Sequence, residues 1–582
     1  MPILSQILDD VFKKLSRLET VYRSPTDYDL PKKNFAEIWK IETEVQTSIF
    51  QKEIELYVAF DEFFPLSIPR IYLSQKSFDE VKYIPHVDKE RHICTFHSDT
   101  LILDTENPFA IVQICLKKTK KIIEDGLAGT NHEEFKDELG AYWTDNNEFE
   151  IIQYLSLGSD FKKESKYIKI GELCPTYKHI KYILYKDEMD STKKMFMDFL
   201  SKKGHKWVER NALLLGNYEI GSCPPFPVDN EDVLKTINSL SIDLYKNYIN
   251  SKQLEKYIFF LADTSTKPIL LGWKHKALNT QRNGYRPGIL TPFDVLSKFQ
   301  KKDKIERIIV NEYSNNLIEN RTSGIVGQKY NFLIAGLGSI GSNLVYFLNG
   351  MNFPNYKLID DDFLKLENIG RHLMGIDNIH TYKTDALKLY LKNIRPDQDV
   401  IVKQSKLEFI LTKNIDFFND CTYAFIAIGN QNVEHLLLKM QNEGKITVPM
   451  FLLWVEPYAI GGHCIFLHPD DNVIIEQLYE KNLYRFNVIA SREYFDINPK
   501  LSKQIAGCQT SFTPYSGNHI IMFLSSIYKW LNDIIQNDVR QSMAMHWVGD
   551  INLAKELGLS INELFDRREA YSNKVIYLKN DN

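Results

Sequence analysis

Two kinds of chemistry are written into this 582-residue chain: nucleotide binding and thiol chemistry. The glycine pattern Gly336-Leu337-Gly338-Ser339-Ile340-Gly341 follows an apolar run, Tyr330 to Ala335, and leads into an apolar segment that ends near Leu348. In such a pattern the first glycine makes the turn, the second lets backbone approach phosphate, and the third lets helix pack on strand. The helix N-terminus then offers unpaired N–H groups and a positive dipole end to an anion. Next, Tyr356-Lys357-Leu358-Ile359 ends on Asp360-Asp361-Asp362, and Asn368, Arg371 and Lys383 follow. Asp360 stands 19 residues after Gly341, a spacing that suits ribose binding in a dinucleotide as well as in ATP. The thiols are Cys94, in a polar stretch with His86, His92 and His97, and Cys508, in Gly507-Cys508-Gln509 ahead of a helix starting near Asn518. Backbone N–H groups and a helix dipole stabilise a thiolate, and neighbouring histidines supply hydrogen bonds or proton transfer.

Strand, glycine turn, helix and strand make a βαβ unit, so the region from Tyr330 onward reads as a Rossmann-like nucleotide-binding fold. The next strand, Tyr423 to Ile428, is followed by Gly429-Asn430, and Cys464 to Leu467 forms a returning strand after a turn near Glu456-Pro457. The region from about 470 to 505 looks mobile. At the other end, Ile3, Leu4, Ile7, Leu8, Val11, Phe12, Leu15 and Leu18 recur at helical spacing. Ile54, Leu56, Val58 and Phe60 alternate as a half-buried strand, and Arg70 to Leu73 forms another. Pro108 starts a second amphipathic helix, which carries Cys115 on its apolar face. Cys115, Cys421 and Cys464 read as structural.

Between about 135 and 320, strand-like runs (Ile180 to Tyr185, Tyr257 to Ala262, Ile269 to Trp273) alternate with charged helical stretches at Thr192 to Lys203 and Val233 to Ile249. No metal spacing, phosphate loop or nucleophile–base pattern stands out there, and an α/β linker or docking domain is expected. The length calls for several domains. A net charge of -5 argues against a broad electrostatic grip on nucleic acid or an acidic membrane. Seven scattered cysteines without a Cys-x-x-Cys pair fit a reducing cytoplasm, and no segment approaches the roughly 20 apolar residues of a spanning helix.

Residues 1–135 resemble the ubiquitin-conjugating enzyme fold: a helix, an antiparallel meander, the segment Phe64 to Pro69, then Pro85-His86 and Ile93-Cys94, then a helix. The resemblance implies that Cys94 accepts a modifier as a thioester. The family's Asn after the His-Pro pair is missing here, and His86, His92 or His97 is left to stand in for it. Asp360-x-Asp362, Asn368, Arg371 and Lys383 match the pattern of the ubiquitin-activating, ThiF and MoeB adenylating family. That family places the first acid on the ATP ribose and the Asn, Arg and Lys around the triphosphate. A dehydrogenase has no need for such a set, whereas carboxylate attack on an α-phosphate gathers charge that fixed cations must neutralise. Arg321 resembles the arginine this family lends to the phosphates, often across a dimer, and Cys508 the cysteine that takes the modifier from the adenylate. Where many members carry a magnesium-associated Asp, this chain has Gly429-Asn430, leaving Asp362 as the expected magnesium ligand beside ATP.

Glu367-Asn368-Ile369-Gly370-Arg371-His372-Leu373-Met374-Gly375, with Glu456-Pro457 and Gly507-Cys508, looks like the bacterial fusions of conjugating and activating enzymes in CBASS anti-phage operons. The architecture expected is α/β multidomain: a conjugating-like domain at 1–135, a linker at 136–315 and a ThiF-type adenylation domain at 316–582. The resemblance implies a homodimer and, as substrate, the C-terminus of a cGAS/DncV-like nucleotidyltransferase. Competing readings are a sulfur-carrier adenylyltransferase of ThiF/MoeB type and a scaffold with an inactive conjugating-like domain.

Overall fold

The computed structural model describes residues 4–23, 30, 35–47, 51–81, 83–96, 101–144, 153–158, 161–186, 191–216, 218, 220, 224–237, 241–324, 326–327, 329–494, 498–504, 511–512 and 514–578. They form two compact units, 1–190 with 204–313, and 191–203 with 314–582.

The first unit opens with α1 (Leu4–Leu15), an amphipathic helix that buries Leu8, Val11 and Leu15. The strands β1 (Thr20–Arg23), β2 (Glu37–Gln46), β3 (Gln51–Phe60), β4 (Arg70–Leu73) and β5 (His92–Ile93) follow as an antiparallel sheet in sequence order. Ile54, Leu56, Val58 and Phe60 of β3 are buried as their alternation predicts, but Tyr57 and Ala59 on the other face are buried as well, so the strand is covered on both sides from Leu56 onward. A short α2 (Gln75–Val81) precedes β5, and α3 (Pro108–Ala128) covers the sheet. Asn107 caps α3 by accepting the Ala110 N–H, Pro108 fits its first turn, and Gly129 ends it at φ 73°. After α3 the chain makes a 3₁₀ turn, His132–Lys136, and a short α4 (Leu139–Thr144).

The linker stretch is a closed barrel. Its strands are β6 (Gln153–Leu157), β7 (Lys166–Tyr177), β8 (Ile180–Tyr185), β9 (Lys206–Leu215), β10 (Lys256–Ala262), β11 (Ile269–His275) and β12 (Glu306–Tyr313), in the order β10-β11-β12-β6-β8-β7-β9. Tyr154, Tyr182, Leu214, Phe259 and Ile308 form one core, and Leu213, Ile258 and Phe260 form another with α6 (Asn230–Thr236) and α7 (Ile242–Ile249). The single helical stretch expected at 233–249 is thus two helices. The helix α5 (Ser191–Lys202), between β8 and β9 in sequence, groups with the second unit. There Lys392 donates from Nζ to the Pro396 carbonyl at 3.0 Å and reaches Met195 Sδ at 3.7 Å.

The second unit begins with α8 (Asn315–Thr322) and has one eight-stranded sheet. Its elements are β13 (Asn331–Ala335), α9 (Ser339–Asn349), β14 (Asn355–Ile359), α10 (Lys383–Ile394), β15 (Val400–Lys403), α11 (Leu407–Lys413), β16 (Tyr423–Ile426), α12 (Gln431–Asn442), β17 (Met450–Val455) and β18 (Gly461–Leu467). A long helix, Gly517–Gln536, precedes the strands Met543–Val548 and Asn573–Tyr577. Strands β15-β14-β13-β16-β17 run parallel, and the remaining three are antiparallel. Leu344, Leu348 and Leu387 pack with Phe523 and Ile527 in one core, while Leu407, Ile410, Val433 and Leu437 belong to the other. The chain reverses direction across the sheet at β13, the switch point where α/β sheets bind ligands.

Candidate active site

The carboxyl ends of β13, β14, β15 and β16 surround a cavity of about 340 Å³. It is lined by Gly336 and Gly338, by Asp360, Asp361 and Asp362, by Lys383, by Ser405 to Glu408, and by Ala427, Ile428 and Asn430. Two glycines are sterically required. Gly336 has φ +84°, and a Cβ on it would meet the Ala427 carbonyl oxygen at 2.6 Å. A Cβ on Gly341 would meet the Gly336 carbonyl oxygen at 1.9 Å, so α9 rests directly on the turn. Gly338 has no neighbour within 4 Å of its would-be Cβ, which leaves the backbone ahead of α9 open to a ligand.

Asp360 braces this turn. The Leu337 N–H donates to its Oδ2 at 2.6 Å and the Asp362 N–H to its Oδ1 at 2.9 Å. Burial pushes its carboxyl above the usual range, and each oxygen keeps a lone pair for a ribose hydroxyl. His372 braces the turn from behind: Nε2 donates to the Leu337 carbonyl at 2.9 Å and Nδ1 accepts the Met374 N–H at 2.9 Å. Burial pushes His372 down to about 4, so it is neutral near pH 7. Lys383, the first residue of α10, is buried and donates to Asp362 Oδ2 at 2.7 Å, with Lys365 3.5 Å from the other oxygen. Although burial raises the Asp362 carboxyl, the Lys383 hydrogen bond and charge bring it below the ordinary value.

Of the residues expected around the nucleotide, Gly336, Gly338, Asp360, Asp362 and Lys383 line the cavity, and Gly341 supports it from α9. Asn368 and Arg371 do not line it. Asn368 accepts the Lys365 N–H at 3.0 Å, closing the turn Leu366–Asn368. The Arg371 guanidinium lies 5.2 Å from the centre of the Tyr515 ring, and the Tyr515 hydroxyl is 2.9 Å from Ser339 Oγ. Arg321 is exposed at the end of α8, away from the lining. The Asp362 carboxylate is taken up by Lys383, Lys365 and the Phe363 N–H. Among the described residues no group of three His, Cys, Asp or Glu side chains could hold a metal. Magnesium takes only one or two carboxylates together with phosphate oxygens, so Asp362 would have to release Lys383 or Lys365 to serve as its ligand.

Cys508 and His97 lie outside the described residues. The flanks of Cys508 are described: Lys503–Gln504 pairs with Ser511–Phe512, and the Pro514 carbonyl accepts the Tyr458 N–H at 2.9 Å. Tyr515 then docks on the start of α9. The region expected to look mobile is held in part. Glu456, at the end of β17, accepts the Ile489 N–H and the Tyr494 hydroxyl, each at 2.9 Å, and Val488 and Ile489 are fully buried.

Cys94 follows β5 and is exposed beside a groove of about 540 Å³. Leu66, Ile68, Pro69, Arg70, Phe96 and Leu103 are among its walls. The turn is a tight hairpin: Val87 bridges Ile93, and the Cys94 N–H donates to the His86 carbonyl at 2.8 Å. Of the three histidines near Cys94, His86 is engaged by Glu134 and Glu138. Burial, then the negative charges of Glu138 and Asp88, push the Cys94 thiol up. The three other cysteines read as structural are inert by burial. Cys115 is pushed up to about 11 and Cys421 to about 12, and fully buried Cys464 is raised as well.

Residues 31–151 match the family model described as prokaryotic E2 family B, and residues 326–543 match the ThiF family. The chain is an E2/E1 fusion. It joins the domain type of a conjugating enzyme to that of an activating enzyme, and is thus an activating and conjugating enzyme in one polypeptide. The fusion is 21% identical over 419 residues to the "ATP-dependent ubiquitin transferase-like protein Cap2" of Pseudomonas aeruginosa (strain BWHPSA011 / Pa011), covering 67% of this chain and 69% of that one. Among solved structures, PaaA aligns at 14% identity and TM-score 0.32, over 43% of this chain and 73% of its own. Escherichia coli TcdA, a tRNA N6-threonylcarbamoyladenosine dehydratase in complex with AMP, aligns at 16% and 0.21, over 23% and 55%. Escherichia coli MccB aligns at 13% and 0.28, over 40% and 62%.

Proposed function

We propose that the fusion adenylates the C-terminal carboxylate of a protein, captures it on Cys508, passes it to Cys94 and joins it to an amine. The observation that carries this reading is the cavity in which Gly336, Gly338, Asp360 and Lys383 converge, in a chain that also places Cys94 beside a groove. A carboxylate oxygen of the carrier attacks the α-phosphorus of ATP, and pyrophosphate leaves. Lys383 offsets charge that gathers on the phosphates, and the N-terminus of α9 adds its dipole. The Cys508 thiolate then attacks the acyl carbon, and AMP departs with the bonding pair. Exchange with the Cys94 thiolate regenerates Cys508, and each thioester preserves the activation taken from ATP.

The docking of Tyr515 on Ser339 supports the first capture, since it brings the chain that follows Cys508 to the glycine turn. The carrier in this reading is the C-terminus of a cGAS/DncV-like nucleotidyltransferase in CBASS anti-phage defence, and the adenylation domains pair as a homodimer. Arg321, exposed on α8, is then free to reach a second copy's nucleotide.

The test is incubation with the nucleotidyltransferase, ATP and magnesium, read on non-reducing gels and by pyrophosphate exchange. Expected are DTT-sensitive adducts on Cys508 and then on Cys94. Cys94→Ala should accumulate the Cys508 adduct and stop amide formation. Undiminished product from Cys94→Ala would overturn the relay, and carrier-independent pyrophosphate exchange would overturn the adenylation.

A further inference from the structure

The hairpin that carries Cys94 is gripped by residues from outside the sheet of the conjugating fold. His86 stands across the hairpin from Cys94, and its carbonyl accepts the Cys94 N–H at 2.8 Å. His86 sits at φ 64°, a left-handed conformation that costs a non-glycine residue energy and must be held by its surroundings. Glu138 and Glu134 hold it. The His86 N–H donates to Glu138 Oε2 at 3.1 Å, Nδ1 lies 2.7 Å from Glu138 Oε1, and Nε2 lies 2.9 Å from Glu134 Oε2. The Tyr142 hydroxyl adds a bond to Glu138 Oε2 at 2.9 Å. Glu138 is also anchored from the far side, because α4 begins at the next residue. There Trp143 Nε1 donates to the Ile308 carbonyl at 3.0 Å and the Gly272 carbonyl at 3.2 Å, on two barrel strands. One carboxylate thus ties both the backbone and the ring of the residue opposite Cys94 to the barrel.

We propose that Glu138 is a positioning residue for acyl transfer from Cys94, acting through His86. The proposal rests on the reading of Cys94 as the second thioester site. In the transfer an amine nitrogen attacks the thioester carbon and the C–N bond forms. The C–S bond breaks, its electron pair returns to Cys94 sulfur, and a proton from the amine restores the thiol. The geometry of attack depends on how the Cys94 backbone is held, and Glu138 fixes it through His86. The missing Asn of the His-Pro-Asn order is replaced here by a grip on the histidine rather than by another side chain in the same place.

The groups facing His86 are Glu134, Glu138 and Tyr142 from the segment after α3, with Cys94 across the hairpin, while Asp88 acts on Cys94. The Glu138 hydrogen bond chiefly holds the His86 ring protonated above its ordinary range. Above that raised range the ring is neutral even with Glu138 present, so the ion pair ends there.

The experiment uses the full chain carrying Cys508→Ala, with Cys94 charged directly by a glycyl-glycine thioester of 2-mercaptoethanesulfonate. Discharge to free lysine is followed by intact mass across pH, and melting is recorded alongside. Glu138→Gln should slow discharge about tenfold at neutral pH, part of the roughly 100-fold that a 1 Å misplacement can cost. The ratio of parent to variant should shrink toward one at alkaline pH, where the parent's ion pair is also lost. Glu138→Asp should recover part of the rate. An equal rate at neutral pH, or a ratio that does not change with pH, overturns the positioning role while leaving the relay intact. A parent that takes up no thioester on Cys94, or never discharges it, overturns the reading on which the proposal rests.

Discussion

Lys383 is buried with its ammonium against Asp362, so the cation proposed to meet phosphate is in place before a nucleotide arrives. Such preorganisation lets a charge act without reorganisation at the moment of reaction. Lys383→Met should cut pyrophosphate exchange about 100-fold. Asp362→Asn keeps the lysine and removes only its counterion, and should cost about tenfold, an order of magnitude less. Equal losses from the two variants would mean that Asp362 touches the nucleotide itself. The sequence named Lys383, Asp360 and Asp362 because their spacing follows the glycine turn. It did not single out His372, whose role comes from a bond to a carbonyl 35 residues earlier. Nor did it reveal that Asp362 is occupied, since pairing with Lys383 depends on how α10 enters the fold.

At the scale of elements, α9 and β13 meet with no room for a side chain at Gly341. Gly341→Ala must push α9 away from the turn, and a loss of about 2–4 kcal/mol in stability together with nucleotide binding is expected. Denaturant unfolding and fluorescent ATP-analogue titration measure the two. The strands of the β/α core and of the N-terminal meander were legible because apolar alternation and glycine punctuation are local signals. The stretch from 470 to 494 was not, because its restraints come from far away in sequence, among them buried Glu456, which accepts from Val488, Ile489 and Tyr494, 30 or more residues on. Glu456→Gln sets an amide group against those donors and should destabilise the second unit by about 2–3 kcal/mol. Hydrogen exchange at Val488 and Ile489 should rise with it.

For the whole molecule, acid is the revealing condition. His275 lies buried in the barrel stretch, where Tyr245, Trp273 and Asn230 surround its ring, and burial pushes it down to about 3. His372, in the second unit, is pushed down to about 4 by the same cause. Both are depressed below the unfolded value of about 6.5, so below that pH the unfolded chain binds protons that the folded chain refuses. Stability should therefore fall in both units as pH drops from about 6.5 toward 4. Calorimetry should show this, and His372→Gln should flatten the fall for the second unit alone. The two family types, at 31–151 and 326–543, were legible from the segment around Cys94 and from the glycine turn with its acids. The barrel was not, because closure is set by pairings such as β9 with β10 that leave no mark on either strand. Nor did the sequence single out Glu138, whose partner lies 52 residues back.

The helix α5 belongs in sequence to the barrel and in space to the adenylation fold. Recombination that traded residues 153–313 as one cassette would carry off Met195 and the helix around it, leaving Lys392 without that neighbour. New linkers can enter this architecture intact only through exchanges that spare 191–203. The gene is therefore less modular than its order of domains suggests, and the barrel and the activating domain are expected to be inherited together.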